Sequence, residues 1–288
     1  MQRSIQRAPG PALKPFIAFL WASMHPSTPE RLMLAERERM IPSGGMHLVF
    51  RVSDQPIRVF KSITDPESEA FYFGALGGIR STYYVKDIAR NACTVGASLR
   101  PGACQALFGI PANEVSGRHV ALENLWGMEA RLLSERLQET GELAQRLDIL
   151  ECFLVSRLSD PSELHPAMAH ALNRFSASSH IARLVQETGY SHRHFIQLFR
   201  ETVGTSPRTY SRLLRFQKTL RRGIDTTKLR WIDVALEAGY ADQAHFNREF
   251  RQLTGITPTE YLLTRAEDLG HVPIRGQFRS IQGRTGEA

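Results

Sequence analysis

Along the C-terminal part of the chain, apolar side chains recur at helical spacing and are interrupted at matched places by glycine and proline. Ile181 to Thr188 reads as an apolar helix stopped at Gly189. Ser191 then stands where an N-cap belongs, and Phe195, Leu198, Phe199 and Thr202 fall at i, i+3, i+4 and i+7 on one inward face. Gly204 closes that helix, and Pro207 opens the next at its first turn. The same grammar then returns: Ile232 to Ala238, Gly239-Tyr240, Asp242 as cap, Phe246, Phe250, Leu253, Gly255, Pro258 and Tyr261. From the phenylalanines onward the two copies superpose at a constant offset of 51, with one extra residue between Tyr240 and Phe246. Single phenylalanines at this spacing are usually ordinary core. Two copies with matched stops, prolines and tyrosines instead predict a duplicated helix-turn-helix, a device for reading two stretches of DNA.

Between the copies, Pro207 to Arg222 reads as one long helix. Tyr210, Leu213, Leu214, Gln217 and Leu220 form its inward stripe, while Arg208, Arg212, Arg215, Arg221 and Arg222 project elsewhere. Sixteen residues at about 1.5 Å each span roughly 24 Å, a spacer that suits recognition helices set about 34 Å apart on one face of a duplex. Thr226 and Thr227 end the connection, and Trp231 and Ile232 start the second unit.

The first 160 residues follow a different period. Met46–Val52 and Ile57–Phe60 read as strands around a turn at Asp54–Pro56, followed by short strands at Ala70–Leu76, Tyr83–Val85 and Thr94–Leu99. Beyond residue 120 the period becomes helical. Leu125, Met128, Leu132, Leu133 and Leu137 mark one helix, and Leu143, Leu147, Leu150, Phe153, Leu154 and Leu158 another. Phe16 to Ala22, apolar behind a basic start, is read as a core segment rather than a signal peptide, and nothing approaches a membrane span. The expected fold is therefore two-domain α+β: residues 1–160 a strand-rich domain with helices, 161–167 a linker, 168–266 all-α, and 267–288 a flexible tail.

Charge sharpens this division. Residues 1–165 carry 18 Lys+Arg and 18 Asp+Glu, whereas residues 166–288 carry 18 against 11, so the whole net charge of +7 lies with the repeat. That is the balance of a polyanion-binding domain beside a neutral partner. Three widely spaced cysteines (Cys93, Cys104 and Cys152) suit a reducing cytoplasm rather than a disulfide framework.

Residues from about Met168 to Arg265 resemble the DNA-binding domain of AraC/XylS-type bacterial transcription regulators. The matches that carry this are Gly239 to Phe250 and Gly255-Ile256-Thr257-Pro258-Thr259-Glu260-Tyr261. The resemblance implies seven helices and double-stranded promoter DNA as partner, with RNA polymerase as a further one. It places the base-reading side chains at Arg193, Ile196 and Gln197, and at Ala244, His245 and Arg248. Arg200, Gln243 and Asn247 share the faces opposite the phenylalanines. Arg suits guanine, Gln suits adenine, and Ile or Ala meets a thymine methyl. His192 and His194 lack a third ligand, so neither a metal nor a cofactor is expected.

Gly96 to Gly102 and Leu122 to Gly127 more loosely resemble a cupin-like sensor domain, which implies a β-barrel whose helices either cover it or pair two subunits as a homodimer. His47, Arg51, Tyr83 and Arg100 are the candidates for lining a pocket for a small-molecule effector. An enzyme is the rival reading, but neither Cys93 nor Cys104 has reactive neighbours in sequence, and no glycine-rich phosphate loop or nucleophile motif appears. The expectation is a cytoplasmic, non-enzymatic, effector-controlled regulator.

Overall fold

The computed structural model describes residues 4–24, 37–88, 93–158, 164–175, 181–225, 235–237, 239–264 and 270–274. Thr226, Thr227, Trp231 and Ile232, and residues 161–163 of the expected linker, lie outside the described residues.

Two antiparallel sheets build the N-terminal domain. The first runs in the order β1 (Ser4–Arg7), β2 (Ile17–Met24), β9 (Cys93–Leu99), β4 (Met46–Val52), β7 (Ala75–Gly77), β10 (His119–Ala121). The second runs β11 (His271–Pro273), β3 (Arg37–Met40), β8 (Tyr84–Asp87), β5 (Ile57–Phe60), β6 (Glu69–Phe71). Strands β4 and β5 form as expected but belong to different sheets, so the turn between them is a corner rather than a hairpin. The single strand expected over Ala70–Leu76 splits for a related reason. Gly74 has φ +93°, and a Cβ there would lie 2.7 Å from both Phe50 and Leu122, so the chain bends and crosses from one sheet to the other.

On β4, alternation sends Leu48 and Phe50 into the main core, while Val49 packs toward a smaller cluster of Ile57, Val59, Phe71, Ala75 and Tyr84 between the sheets. Helices α2 (Glu123–Trp126), α3 (Met128–Glu139) and α4 (Leu143–Arg157) pack on the first sheet, α1 (Ala103–Phe108) packs on α4, and a 3₁₀ turn (Ala112–Val115) packs against the helix at His192–Val203. The helix expected to run from Leu125 to Leu137 is broken at Gly127, whose φ of 58° and ψ of −132° no helix accommodates. Trp126, stacked on Phe108 and donating to the Leu107 carbonyl, anchors the break.

The C-terminal domain comprises α5 (Pro166–Arg174), α6 (Ile181–Thr188), α7 (His192–Val203), α8 (Pro207–Asp225), helical residues 235–237, α9 (Gln243–Thr254) and α10 (Pro258–Thr264). Its core is aromatic: Phe195, Phe199, Phe216, Phe246, Phe250 and Tyr261 are fully buried. Phe216, absent from the expected stripe of the central helix, fills its middle, with its ring edge on Phe250 at 5.5 Å.

The two domains are packed together rather than strung on a linker. Residues 271–273 are not a loose tail. They form β11, which pairs antiparallel with β3 and extends the N-terminal sheet. Gly102 N–H donates to the Thr202 carbonyl at 3.0 Å, and the Gln217 side-chain amide donates to the Pro42 carbonyl.

Candidate nucleic-acid interface and the intersheet cluster

Both candidate reading helices are capped as the pattern predicts. Ser191 Oγ accepts from the His194 N–H at 3.3 Å, and Asp242 Oδ1 accepts from the His245 N–H at 2.6 Å. Gly204 and Gly255 close the helices with φ of 90° and 75°. With Phe195 and Phe199 turned inward, the opposite face of α7 exposes Arg193, Gln197 and Arg200, with Ile196 half-buried beside them. On α9, Gln243, Ala244, Asn247 and Arg248 are exposed and His245 is half-buried. Each helix therefore presents donors, acceptors and small apolar groups near its N-terminus, the end that enters a major groove in helix-turn-helix docking. Gln197 Nε2 donates to Glu201 Oε1 at 3.0 Å. The His194 ring packs at a tilt against Tyr190, with ring centroids 4.7 Å apart. Among the described residues no group of three metal-ligating side chains occurs.

The two units differ in how they are fastened to the central helix. In the second, Glu249 is buried on the inner side of α9 and accepts from Tyr240 Oη at 2.7 Å and from Arg215 at 3.2 Å. Arg212 lies 3.6 Å away, and the Arg215 guanidinium also covers the Tyr240 ring at 4.6 Å. Arg212 and Arg215 are thus inward-tied, not free to project as the sequence pattern suggests. Burial, with Glu249 beside it, pushes the Tyr240 hydroxyl well above the usual tyrosine range. The first unit has Leu198 where the offset would put this glutamate. There the matching Tyr190 reaches His165 instead, at 3.3 Å.

Both glycine caps also abut the N-terminal domain. A Cβ on Gly204 would lie 2.8 Å from Ile79 and 3.1 Å from the Ala112 carbonyl, and one on Gly255 would lie 2.4 Å from the Tyr83 ring.

The four residues expected to line a pocket do not come together. Arg51 is buried and tied to Asp87 at 2.7 and 2.9 Å. Tyr83 faces Gly255 and Arg39, and Arg100 Nε donates to the Ile17 carbonyl at the sheet end. His47 points between the sheets. It meets a group that the sequence reading missed: His119, Tyr84 and Arg80. In the first sheet His47 and His119 are both in register with Gly77, one on each side. The glycine leaves room for the two rings to meet edge-on at 5.5 Å, and a Cβ at 77 would fall 2.2 Å from His47. Tyr84 comes from the second sheet, its ring 4.7 Å from His119, and Arg80 Nη2 lies 3.1 Å from His119 Nδ1. Burial, with Lys86, Arg80 and His271 nearby, pushes His47 down to about 4. Burial also holds His119 well below the usual histidine range. The only sequence signal for this group was an isolated histidine in a short strand, and its partners come from other strands.

Residues 184–264 match the family model described as a helix-turn-helix domain, and residues 5–121 match a domain of unknown function, DUF6597. The virulence regulon transcriptional activator VirF of Yersinia enterocolitica is 30% identical over 93 residues, 31% of this chain and 33% of that protein. The HTH-type transcriptional activator AarP of Providencia stuartii is 32% identical over 81 residues, 28% of this chain and 59% of AarP. The chain thus spans about a third of the length of VirF. Among solved structures, ToxT from Vibrio cholerae O395 aligns with a TM-score of 0.45 and 12% identity, covering 84% of this chain and 95% of ToxT.

Proposed function

We propose that the chain is a sequence-specific transcription regulator of the AraC type, whose residues 184–264 match a helix-turn-helix domain and which binds double-stranded promoter DNA through α7 and α9. One observation carries this reading. Two capped helices each bury their phenylalanines against a shared core and leave an exposed, chemically varied N-terminal face. Arg193, Ile196, Gln197 and Arg200 read one major-groove segment, and Gln243, Ala244, His245, Asn247 and Arg248 the next. A nonspecific architectural protein would need only cations there.

The N-terminal domain senses a small molecule and controls the DNA-binding half through their shared contacts. It also pairs two subunits through the outer face of α3 and α4, where Met128, Leu132 and Val155 are exposed. RNA polymerase is the further partner, and the cytoplasm the compartment. No helix among the described residues is long and apolar enough to cross a membrane. The chain is not read as an enzyme. Cys104 is buried, its thiol pushed up to about 12 by burial and by Glu114, and burial also raises Cys93, so neither is a ready nucleophile.

Genome-wide mapping of bound promoters with the full chain tests the proposal, followed by titrations on the recovered site. A recurrent bipartite sequence bound in preference to random DNA supports it. Uniform affinity for all sequences refutes it.

A further inference from the structure

We propose that the space between the two sheets, at Arg80, His119 and Tyr84, is a binding site for a small organic carboxylate, and that the segment 79–84 carries its occupancy to both reading helices. This rests on the effector-control reading above and names the chemistry of the effector. Arg80 makes no ion pair among the described residues, and its Nε is buried without a hydrogen-bond partner. Its guanidinium lies over Tyr84 at 4.8 Å, and its Nη2 lies 3.1 Å from His119 Nδ1. Arginine has only donors, so His119 Nδ1 must accept and the proton must sit on Nε2. The cluster therefore offers N–H donors on Arg80 Nε and His119 Nε2 and a hydroxyl donor on Tyr84, around a positive charge that Glu69 acts on through space without forming a salt bridge among the described residues. Three donors and a half-buried arginine are the complement of one carboxylate. The surroundings suit the organic part of such a ligand. Ala75, Gly77 and Ala121 keep the floor low, and Val49 and His47 stay only half-buried although both face inward. Lys86, nearby, is already neutralised by Glu38 at 2.9 Å, which leaves Arg80 as the cation the ligand answers.

The readout follows from adjacency in the chain. Arg80 follows Ile79, which touches the Gly204 cap of α7, and Tyr84 follows Tyr83, which touches the Gly255 cap of α9. One short segment thus turns alternate side chains to the ligand and to the ends of the two reading helices.

Calorimetric titration of the full chain with acetate, hexanoate and benzoate, against acetamide, hexanamide and benzamide, tests the site. At least one carboxylate should bind saturably, with its amide failing. Arg80→Gln should weaken it by about tenfold or more, and Arg80→Lys by less. Tyr84→Phe, which removes only a hydroxyl, should weaken it several-fold and serves if Arg80→Gln does not fold. Saturation by none of the carboxylates, equal binding of an amide, or full affinity in both Arg80→Gln and Tyr84→Phe would overturn the proposal. Bound carboxylate should also shift affinity for the mapped promoter site in the wild type and not in Arg80→Gln; an unshifted affinity overturns the transmission. The calorimetry contains no DNA, so its failure leaves the DNA-reading proposal standing, whereas uniform affinity for all sequences removes that proposal and leaves the site.

Discussion

Gly255 and Tyr83 meet where α9, the second candidate reading helix, ends: the tyrosine ring occupies the space that any Cβ at position 255 would need, 2.4 Å from it. Gly255 also has φ +75°, a conformation that costs an ordinary residue roughly 1–2 kcal/mol. Gly255→Ala should therefore destabilise the protein by that amount plus the displacement of a half-buried ring. Adding Tyr83→Ala should recover the steric part and not the backbone part. Chemical denaturation of the two single variants and the double variant measures the coupling, and strict additivity would mean that the ring is not the obstacle.

Base reading predicts selective losses. Arg248→Ala and Arg193→Ala should each cost about 1–3 kcal/mol on the specific site and relax the preference at one position in its own half. Titration against a randomised site distinguishes this from a phosphate contact, which would weaken every sequence alike.

The bipartite geometry is tested by the spacing of the site. With α7 and α9 held by the rigid α8, insertion of about five base pairs between the two protected segments turns them to opposite faces of the duplex. Affinity should fall steeply. Unchanged binding to the split site would refute two-helix reading by one chain.

Much of this was legible in the sequence because helix caps, glycine stops and aromatic spacing are local. Ser191, Asp242, Gly204 and Gly255 do what their positions announced. What stayed hidden depends on pairing between distant strands. Nothing near His119 in sequence reveals that Gly77 separates it from His47, or that Tyr84 approaches from the opposite sheet. The break at Gly127 was missed because the leucines on either side keep a helical period that only the backbone interrupts. Phe216 escaped the stripe of α8 because the pattern was read through Gln217, whose amide spans to Pro42 instead.

Glu249 should prove to be a fastening of the second unit. Glu249→Ala leaves Arg215 and the Tyr240 hydroxyl without their shared acceptor, and a loss on the order of 3 kcal/mol is expected. Glu249→Gln, which keeps one acceptor oxygen, should lose less. Denaturation midpoints of the variants check the order, and a neutral Glu249→Ala would refute the role.

Acid should loosen the join between β11 and the sheet. Burial opposes ionisation of Glu38, but Lys86 at 2.9 Å and His271 at 3.1 Å outweigh it and hold the carboxyl well below the usual carboxylate range. A depressed folded-state pKa means that the stabilisation is complete above the unfolded value of about 4.3 and fades as pH falls below it. The stability difference between wild type and Glu38→Gln should therefore shrink as pH falls below about 4. A difference that grows below that pH would contradict the assignment.

Strand β11 has one more consequence. The chain leaves the strand-rich domain from the first sheet, builds the helical domain, and returns to place its next strand at the edge of the second sheet. In effect the helical domain is spliced into the strand-rich one and mounted at both ends. A module on a single tether swings freely and has to be caught by its target. One clamped at two points keeps its bearing, so a change in sheet curvature tilts both helices together, and freedom to rotate requires that one mount let go.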